Sequence, residues 1–190
     1  MCKKIISYLV LSLFAPLVAL GDSSRARLYI PASTNAEVSG CATCEIKASG
    51  YSARYIFGNG FGLGLASSKA SVSGEPDMDD YSYDSGPMID IGYTFGSDFT
   101  LTVGFGVGSS PTTDIKIPDT EYVKDWKLEG TSASNFFLGL GYNFGIFEVL
   151  LALRSVSTSY DHTYTVLGTQ SKSQTTPSWS TTDIGIGFTF

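Results

Sequence analysis

Charged residues are scarce in this 190-residue chain: Asp, Glu, Lys and Arg together make up 16% of it, low for a soluble domain. Basic residues number 12 against 18 acidic ones, a formal net charge of −6. This argues against a nucleic-acid partner, because neutralising phosphates takes clustered Lys and Arg. Histidine occurs once and cysteine three times, so the four ligands of a zinc site are hard to assemble. Beyond residue 20 no apolar run approaches the roughly 18 continuous residues of a spanning helix. Even the densest, Phe144 to Leu153, is interrupted by Gly145 and Glu148. No linker-like stretch divides the sequence, which reads as one domain.

The N-terminus carries a processing signal. Lys3 and Lys4 precede an apolar run from Ile5 to Leu20, and Ala19-Leu20-Gly21 puts small residues at the two positions a signal peptidase reads. Residues 1–21 are expected to be a cleaved signal peptide and residues 22–190 the mature domain. A retained membrane helix is the competing reading, disfavoured because the run is short and contains Pro16. The mature chain would have 190 − 21 = 169 residues and a formal charge of −6 − 2 = −8. Cys2 leaves with the signal; it does not follow the apolar run as a lipoprotein cysteine must.

Glycine (21 residues) and aromatics (13%) are abundant instead, and they alternate. At the end of the chain Ile184, Ile186, Phe188 and Phe190 share one face of an extended strand, with Asp183, Gly185, Gly187 and Thr189 on the other. A nearly bare polar face suits a cramped interior, and the apolar face then suits lipid. Seven earlier runs repeat the pattern between turn residues. The first, about Arg27 to Val38, sets Leu28, Ile30, Ala32 and Thr34 against Arg27, Tyr29, Ser33 and Asn35, and Pro31 costs it a ladder hydrogen bond. The second, Glu45 to Phe57, has Tyr51, Ala53, Tyr55 and Phe57 opposite Arg54. In the third, Phe61, Leu63 and Leu65 alternate with Gly62, Gly64 and Ala66. The fourth, after an acidic loop from Gly74 to Asp80, ends at Phe95 with Asp90, Gly92 and Thr94 on its polar face. In the fifth, Phe99 to Val107 alternate with Thr100, Thr102, Gly104, Gly106 and Gly108. The sixth carries Phe136 to Phe144 on the apolar face, and the seventh sets Phe147, Val149, Leu151 and Leu153 against Glu148 and Arg154.

Tight turns at Gly58-Asn59-Gly60, Gly96-Ser97-Asp98 and Gly145-Ile146 alternate with long connections, expected at about Pro111 to Glu129 and Ser157 to Ser178. All tight turns therefore fall at one end of the sheet. The lipid-facing positions carry no charge, where one Lys or Arg at the midplane would cost about 2–4 kcal/mol. Aromatics crowd the tight turns on that face, as an interfacial girdle would. These features predict an all-β fold, an eight-stranded antiparallel up-and-down transmembrane β-barrel. A soluble lipocalin-type barrel is the rival, but its exterior would be mostly glycine, which covers nothing.

The signal peptide, the eight runs, the turn asymmetry and the closing Gly-Phe-Thr-Phe together resemble the small eight-stranded bacterial outer-membrane barrels, the outer membrane protein A-like and X-like group. The resemblance spans the mature chain and implies a bacterial outer-membrane location. It also implies that Phe188 and Phe190 form an assembly signal read by the barrel-assembly machinery, and that lipid and lipopolysaccharide are partners. Some barrels of this size modify lipid A with a His and a Ser. Here His162 is followed by Thr163 and Tyr164, so the His and Ser two residues apart are missing. Ser159, Asp161 and His162 are close in sequence, yet a catalytic triad is a matter of spatial geometry, and neighbours on a strand mostly face opposite ways. The expectation is a non-enzymatic barrel without catalytic residues, cofactor or metal.

By parity Arg27, Arg54, Asp90, Glu148, Arg154 and Asp183 point into the barrel. Eight strands leave an interior that side chains fill, so these charges are expected to pair; an ion path or narrow channel is the alternative. Cys41 and Cys44 sit in the first outer loop. A C-x-x-C can be a redox pair or half a metal site, and in an exported protein a local disulfide is expected. Asp77, Asp79, Asp80 and Asp84 make an acidic second loop without the spacing of a calcium loop. Lys116, Lys124 and Lys127 in the third loop offer a contact for lipopolysaccharide phosphates, beside several carboxylates. The loops are the place for an extracellular ligand, which the sequence leaves unnamed.

Overall fold

The computed structural model describes residues 23–36, 44–74, 79–116, 123–166 and 169–190. The signal-peptide boundary and Cys41 lie outside them. Eleven strands are seen among the described residues: β1 (Arg25–Asn35), β2 (Glu45–Ile56), β3 (Phe61–Ser73), β4 (Tyr81–Asp84), β5 (Met88–Phe95), β6 (Phe99–Gly108), β7 (Thr112–Thr113), β8 (Val123–Phe144), β9 (Phe147–Val166), β10 (Thr169–Thr175) and β11 (Ser178–Thr189).

Eight of them close into a ring of antiparallel pairs: β1 with β2, then β3, β5, β6, β8, β9, β11 and back to β1. Closure leaves no open sheet edge at the height of the lipid, which a membrane-spanning sheet requires. The alternation read from the sequence becomes the wall. Leu65, Phe136 and Leu153 stand outward and are 57%, 54% and 56% exposed, whereas Arg27, Arg54 and Asp90 are buried. Rings such as Tyr55, Phe57, Tyr93, Phe95, Tyr142 and Phe144 gather outward at the tight-turn end, packed edge to face or tilted in neighbouring pairs. In the turn after β2, the amide of Phe57 donates to the carbonyl of Phe61 and that of Gly60 to Phe57, both at 2.8 Å, with Gly60 at φ 87° where other residues are strained.

Beyond the ring three short strands extend the wall at the long-loop end. β4 pairs with the far half of β3, β7 with β4, and β10 with the far half of β9.

The structure corrects three expectations. The connection expected from Pro111 to Glu129 is interrupted by β7, and β8 begins at Val123. The polar stretch from Ser157 to Ser178 is mostly strand, because β9 runs on to Val166 and β10 folds back on it. Both errors have one cause: the apolar outward face stops where lipid stops, but the backbone ladder does not need lipid and continues. The third concerns β1, which spans Arg25–Asn35 and holds a bulge. Pro31 pairs with Asp183 and Ser33 with Thr182, so Ala32 is an extra residue and inside and outside exchange beyond it. Ser33, expected inside, shares the outward face with Thr182. Thr34, expected outside, turns inward, where its Oγ1 accepts the amide of Ala48 at 2.7 Å.

Candidate functional site

The interior is the largest assembly of polar chemistry among the described residues, and it is layered. Nearest the tight turns, β1 sends in Arg25 and Arg27, and β9 answers with Glu148. Arg27 grips that carboxylate with two parallel bonds, Nε to Oε2 and Nη2 to Oε1, each 2.8 Å, the bidentate geometry that suits arginine. Its remaining donors reach Thr102 Oγ1 at 2.6 Å and Thr100 Oγ1 at 2.9 Å across the lumen. Arg25 donates to Glu148 Oε1 at 3.2 Å and to the carbonyl of Ser97 at 3.0 Å, tying the start of β1 to the β5–β6 turn. Arg25 was missing from the sequence reading, which began the first run at Arg27. Its position two residues earlier on the same face was the signal available.

A second layer crosses the middle. Asp90 Oδ2 accepts Arg54 Nη2 at 3.0 Å and Arg154 Nη1 at 3.3 Å, while its Oδ1 accepts Asn135 Nδ2 at 2.9 Å. Arg154 Nε also meets Asp183 Oδ2 at 3.1 Å, and Thr181 donates to Asp183 Oδ1 at 2.6 Å. Phe137 fills the space between, with the Arg54 guanidinium 3.3 Å above its ring centre. All six charges named from parity thus lie inside, in two groups: Arg27 with Glu148, and Arg54, Asp90, Arg154 and Asp183. Arg54 and Arg154 are matched by Asp90 and Asp183, while Arg25 and Arg27 share Glu148, so the layer nearest the tight turns keeps one positive charge in excess; ion pairing and hydrogen bonds are the condition under which buried ions persist.

The glycines facing inward are slots for these side chains. A Cβ at Gly104 would stand 2.3 Å from Phe137, and one at Gly187 would stand 2.5 Å from Glu148 Oε2. The wall is bare there because the facing residue of the neighbouring strand, Phe137 beside Gly104 and Glu148 beside Gly187, lays its side chain over the slot.

The long-loop half of the lumen holds an apolar cluster of Ala66, Ala70, Met88, Ala133, Val156 and Trp179, among buried hydroxyls such as Ser68 and Thr158. Trp179 Nε1 donates to Ser68 Oγ at 2.9 Å. Period two places Ala66 of this layer inside, opposite Leu65, but does not mark Ala70, Ala133, Val156 or Trp179, which lie beyond the lipid-facing runs.

Above it Tyr160 donates to the carbonyl of Thr112 at 2.9 Å, joining β9 to β7, and burial pushes its pKa up to about 12. On the same side of the β8–β9 hairpin, Trp126 stacks on Tyr164 at 5.5 Å and 12° and meets His162 edge to face at 5.0 Å. Burial lowers the pKa of His162, against a smaller upward pull from Asp161. Ser159 and Asp161 lie on the opposite face of β9 from His162, and Asp161 accepts Gln174 Nε2 at 3.2 Å. The three do not converge.

Of the loop candidates, Cys44 is described but Cys41 is not. Asp79 and Asp80 are exposed, Asp84 Oδ1 caps the amide of Gly86 at 2.8 Å, and Asp77 lies outside the described residues. Lys116 is exposed beyond β7, and Lys127 is exposed on β8, which is strand rather than loop; nothing is described for the side chain of Lys124. Asp114 reaches back to β4, where its Oδ2 accepts Ser82 Oγ at 2.9 Å and its Oδ1 accepts the Ser82 amide. Burial pulls the Asp114 pKa up, but the hydrogen bonds from Ser82 outweigh this and hold it below the ordinary carboxylate value. At the chain end Phe188 packs on Phe147 at 5.3 Å, and the Phe190 amide donates to the Ser24 carbonyl at 2.9 Å.

No family model matches the chain, and comparison with curated protein sequences finds no match. Among solved structures, the crystal structure of the outer membrane protein OprG from Pseudomonas aeruginosa is similar with a TM-score of 0.52 and 14% identity, over 92% of this chain and 98% of that one. The outer membrane protein AlkL, solved in DMPC lipid bilayers, gives 0.49 at 12% identity, over 90% and 92% of the two chains. Yersinia pestis Ail, solved in a phospholipid bilayer nanodisc, gives 0.44 at 13%, over 89% and 100%. The fold is that of a small eight-stranded bacterial outer-membrane β-barrel.

Proposed function

We propose that this chain is a non-enzymatic integral protein of the bacterial outer membrane, whose side-chain-filled interior holds the wall in shape and whose extension beyond the lipid belt makes contact with the surroundings. The observation that carries this reading is the filling of the cross-section. Two charged layers, the Phe137 ring and the apolar cluster around Trp179 succeed one another along the lumen. A barrel packed in this way supplies rigidity rather than a water-filled passage, which belongs to barrels of about 16–18 strands. Phe188 and Phe190 serve as the signal for the barrel-assembly machinery, with lipid and lipopolysaccharide as the standing partners in the membrane.

Three measurements test the reading. Heat-modifiable migration of the membrane fraction on a detergent gel reports a closed barrel, and a protein fully soluble after lysis without detergent would end the membrane assignment. Planar-bilayer recording of the purified barrel should show no large steady conductance; small intermittent events would instead favour a narrow channel. Lipid A from cells expressing the protein should keep its acyl pattern in mass spectrometry. A change that vanished in His162→Ala would establish an enzyme.

A further inference from the structure

At the tight-turn end the lumen opens into a cavity of about 960 Å³, bounded by the start of β1, the β2–β3 turn, the β5–β6 turn and the end of β8. Arg25 and Asn143 line it, and Asp98 stands in its wall. The Arg25 side chain is only 9% exposed. It is also the cation that the layer leaves in excess, because Arg27 holds both oxygens of Glu148 at 2.8 Å and leaves Arg25 one longer bond of 3.2 Å to Oε1. Through Nη2 Arg25 reaches the carbonyls of Ser97 at 3.0 Å and Gly96 at 3.5 Å, while its Nε has no partner among the described residues. A guanidinium offers a planar fork of N–H donors, and part of this one is unused.

Two orphaned polar atoms stand beside it. Asn143 Oδ1 and Thr189 Oγ1 are buried without a hydrogen-bond partner, and the ladder sets Thr189 opposite Arg25 and Asn143 opposite Glu148. A half turn of the Asn143 amide exchanges its oxygen for an NH2 donor, and the Thr189 hydroxyl donates as readily as it accepts. The Asn143 backbone is fixed, its amide donating to the Asp98 carbonyl at 2.7 Å. The Asp98 residue is exposed, so water and salt screen its carboxylate, and the ion-pair partner of Arg25 among the described residues is Glu148 alone. Buried polar groups left without partners call for an explanation. Here they surround a buried cation that has only a share of one carboxylate, which makes the cavity a site for an anion.

We propose that this cavity binds the carboxylate of a small molecule entering from the tight-turn side, with Arg25 as its main contact and Asn143 and Thr189 as hydrogen-bond donors. One excess positive charge matches a monoanion, and the arginine fork matches a carboxylate. The site lies at the opposite end of the barrel from the extension that carries the functional reading above, and it goes beyond that reading.

The test titrates N-acetylglycine, a monocarboxylate with no other charge, into the full mature chain folded in detergent micelles at neutral pH and constant ionic strength. In NMR the backbone amides of Ser97 and Asp98 and the side-chain amide of Asn143 should shift saturably, and the neutral N-acetylglycinamide should leave them in place. Arg25→Gln should weaken binding about tenfold or more, the loss of one charged hydrogen-bonding group. That variant should still fold, because Arg27 keeps Glu148. Asp98→Asn removes the carboxylate in the cavity wall and should strengthen binding. Asn143→Asp places a carboxylate in the cavity itself and should abolish it, which decides the matter even if Arg25→Gln does not fold. The proposal is overturned if the folded wild type gives no saturable shift, if sodium chloride at equal concentration reproduces the shifts, or if Arg25→Gln or Asn143→Asp binds as the wild type does. Tighter binding of inorganic phosphate than of N-acetylglycine overturns the assignment to a carboxylate.

Discussion

Arg27 and Glu148 hold each other across an intervening strand: β11 lies between their strands, and the ion pair passes over it at Gly187. The pair therefore straps together the β1–β11 seam, where the first and last strands of the ring meet. Glu148→Gln should lower the unfolding free energy in detergent by about 3–5 kcal/mol, since it leaves buried guanidinium charge uncompensated. Gly187→Val should weaken the same strap by driving the side chains apart. Denaturant unfolding followed by loss of heat-modifiable migration measures both, and a Gly187→Val protein as stable as wild type would show the slot to be incidental.

Arg154 gives a second test of inside against outside. It serves Asp90 and Asp183 at once, so Arg154→Met should cost several kcal/mol by the same argument. Leu151→Met, three residues away on the lipid face, swaps one apolar side chain for another of similar volume and should change stability by less than about 1.5 kcal/mol. Comparable small losses in both would contradict the assignment.

The extension beyond the belt should loosen in acid, in two stages. His162 has a folded-state pKa below its ordinary 6.5, so the unfolded chain takes up the proton first. Its contribution is complete above about pH 6.5 and fades as the pH falls through the folded value. Asp114 is likewise depressed below 3.8, and its hold on Ser82 should fail only in stronger acid. Because the chain has one histidine, its imidazole proton signal in NMR gives the first stage without ambiguity, and a midpoint at or above 6.5 would refute it. Amide exchange of β4 and β7, compared between wild type and Asp114→Asn, reads the second.

Processing is checked by mass. The mature protein should begin at Asp22, and Cys41 and Cys44 should be oxidised to each other in the exported form. Intact-mass measurement with thiol tagging under non-reducing conditions tests both. Tagging of both thiols, or retention of residues 1–21, contradicts the respective expectation. Replacing both cysteines by Ser should leave the barrel folded, because a bridge closing so short a loop constrains the unfolded chain little.

What the sequence made legible was the part of the wall that lipid touches. There a residue's environment alternates with every step, so Asp90, Glu148 and Arg154 could be placed inside by counting. Their partners could not, because the pairing of Arg54 and Arg154 on one Asp90 oxygen depends on the stagger between strands that parity leaves free. Beyond the belt the outward face is polar and the inward face mixes apolar residues with buried hydroxyls such as Ser68 and Thr158, so the hydropathy alternation fades, which is why the sequence pattern leaves β7, β10 and the far halves of β8 and β9 as loop. The bulge at Ala32 was hidden for another reason: an extra residue changes nothing in composition and shows only in the register.

The contrast between the hairpin β8–β9 and the seam β1–β11 bears on the order in which the barrel forms. β8 and β9 are joined by the two-residue turn Gly145-Ile146 and can zip together as soon as that turn is made, while the seam brings Arg25 to Thr189, which are 189 − 25 = 164 residues apart. Loop-closure entropy rising as (3/2)RT ln n makes the second event costlier than the first by roughly 3–4 kcal/mol if nothing between has yet ordered. Each adjacent hairpin that forms first shortens the effective loop and lowers that barrier. The chain is thus expected to assemble outward from β8 and β9 and to close last at the seam, where the strap from Arg27 to Glu148 makes closure hard to reverse.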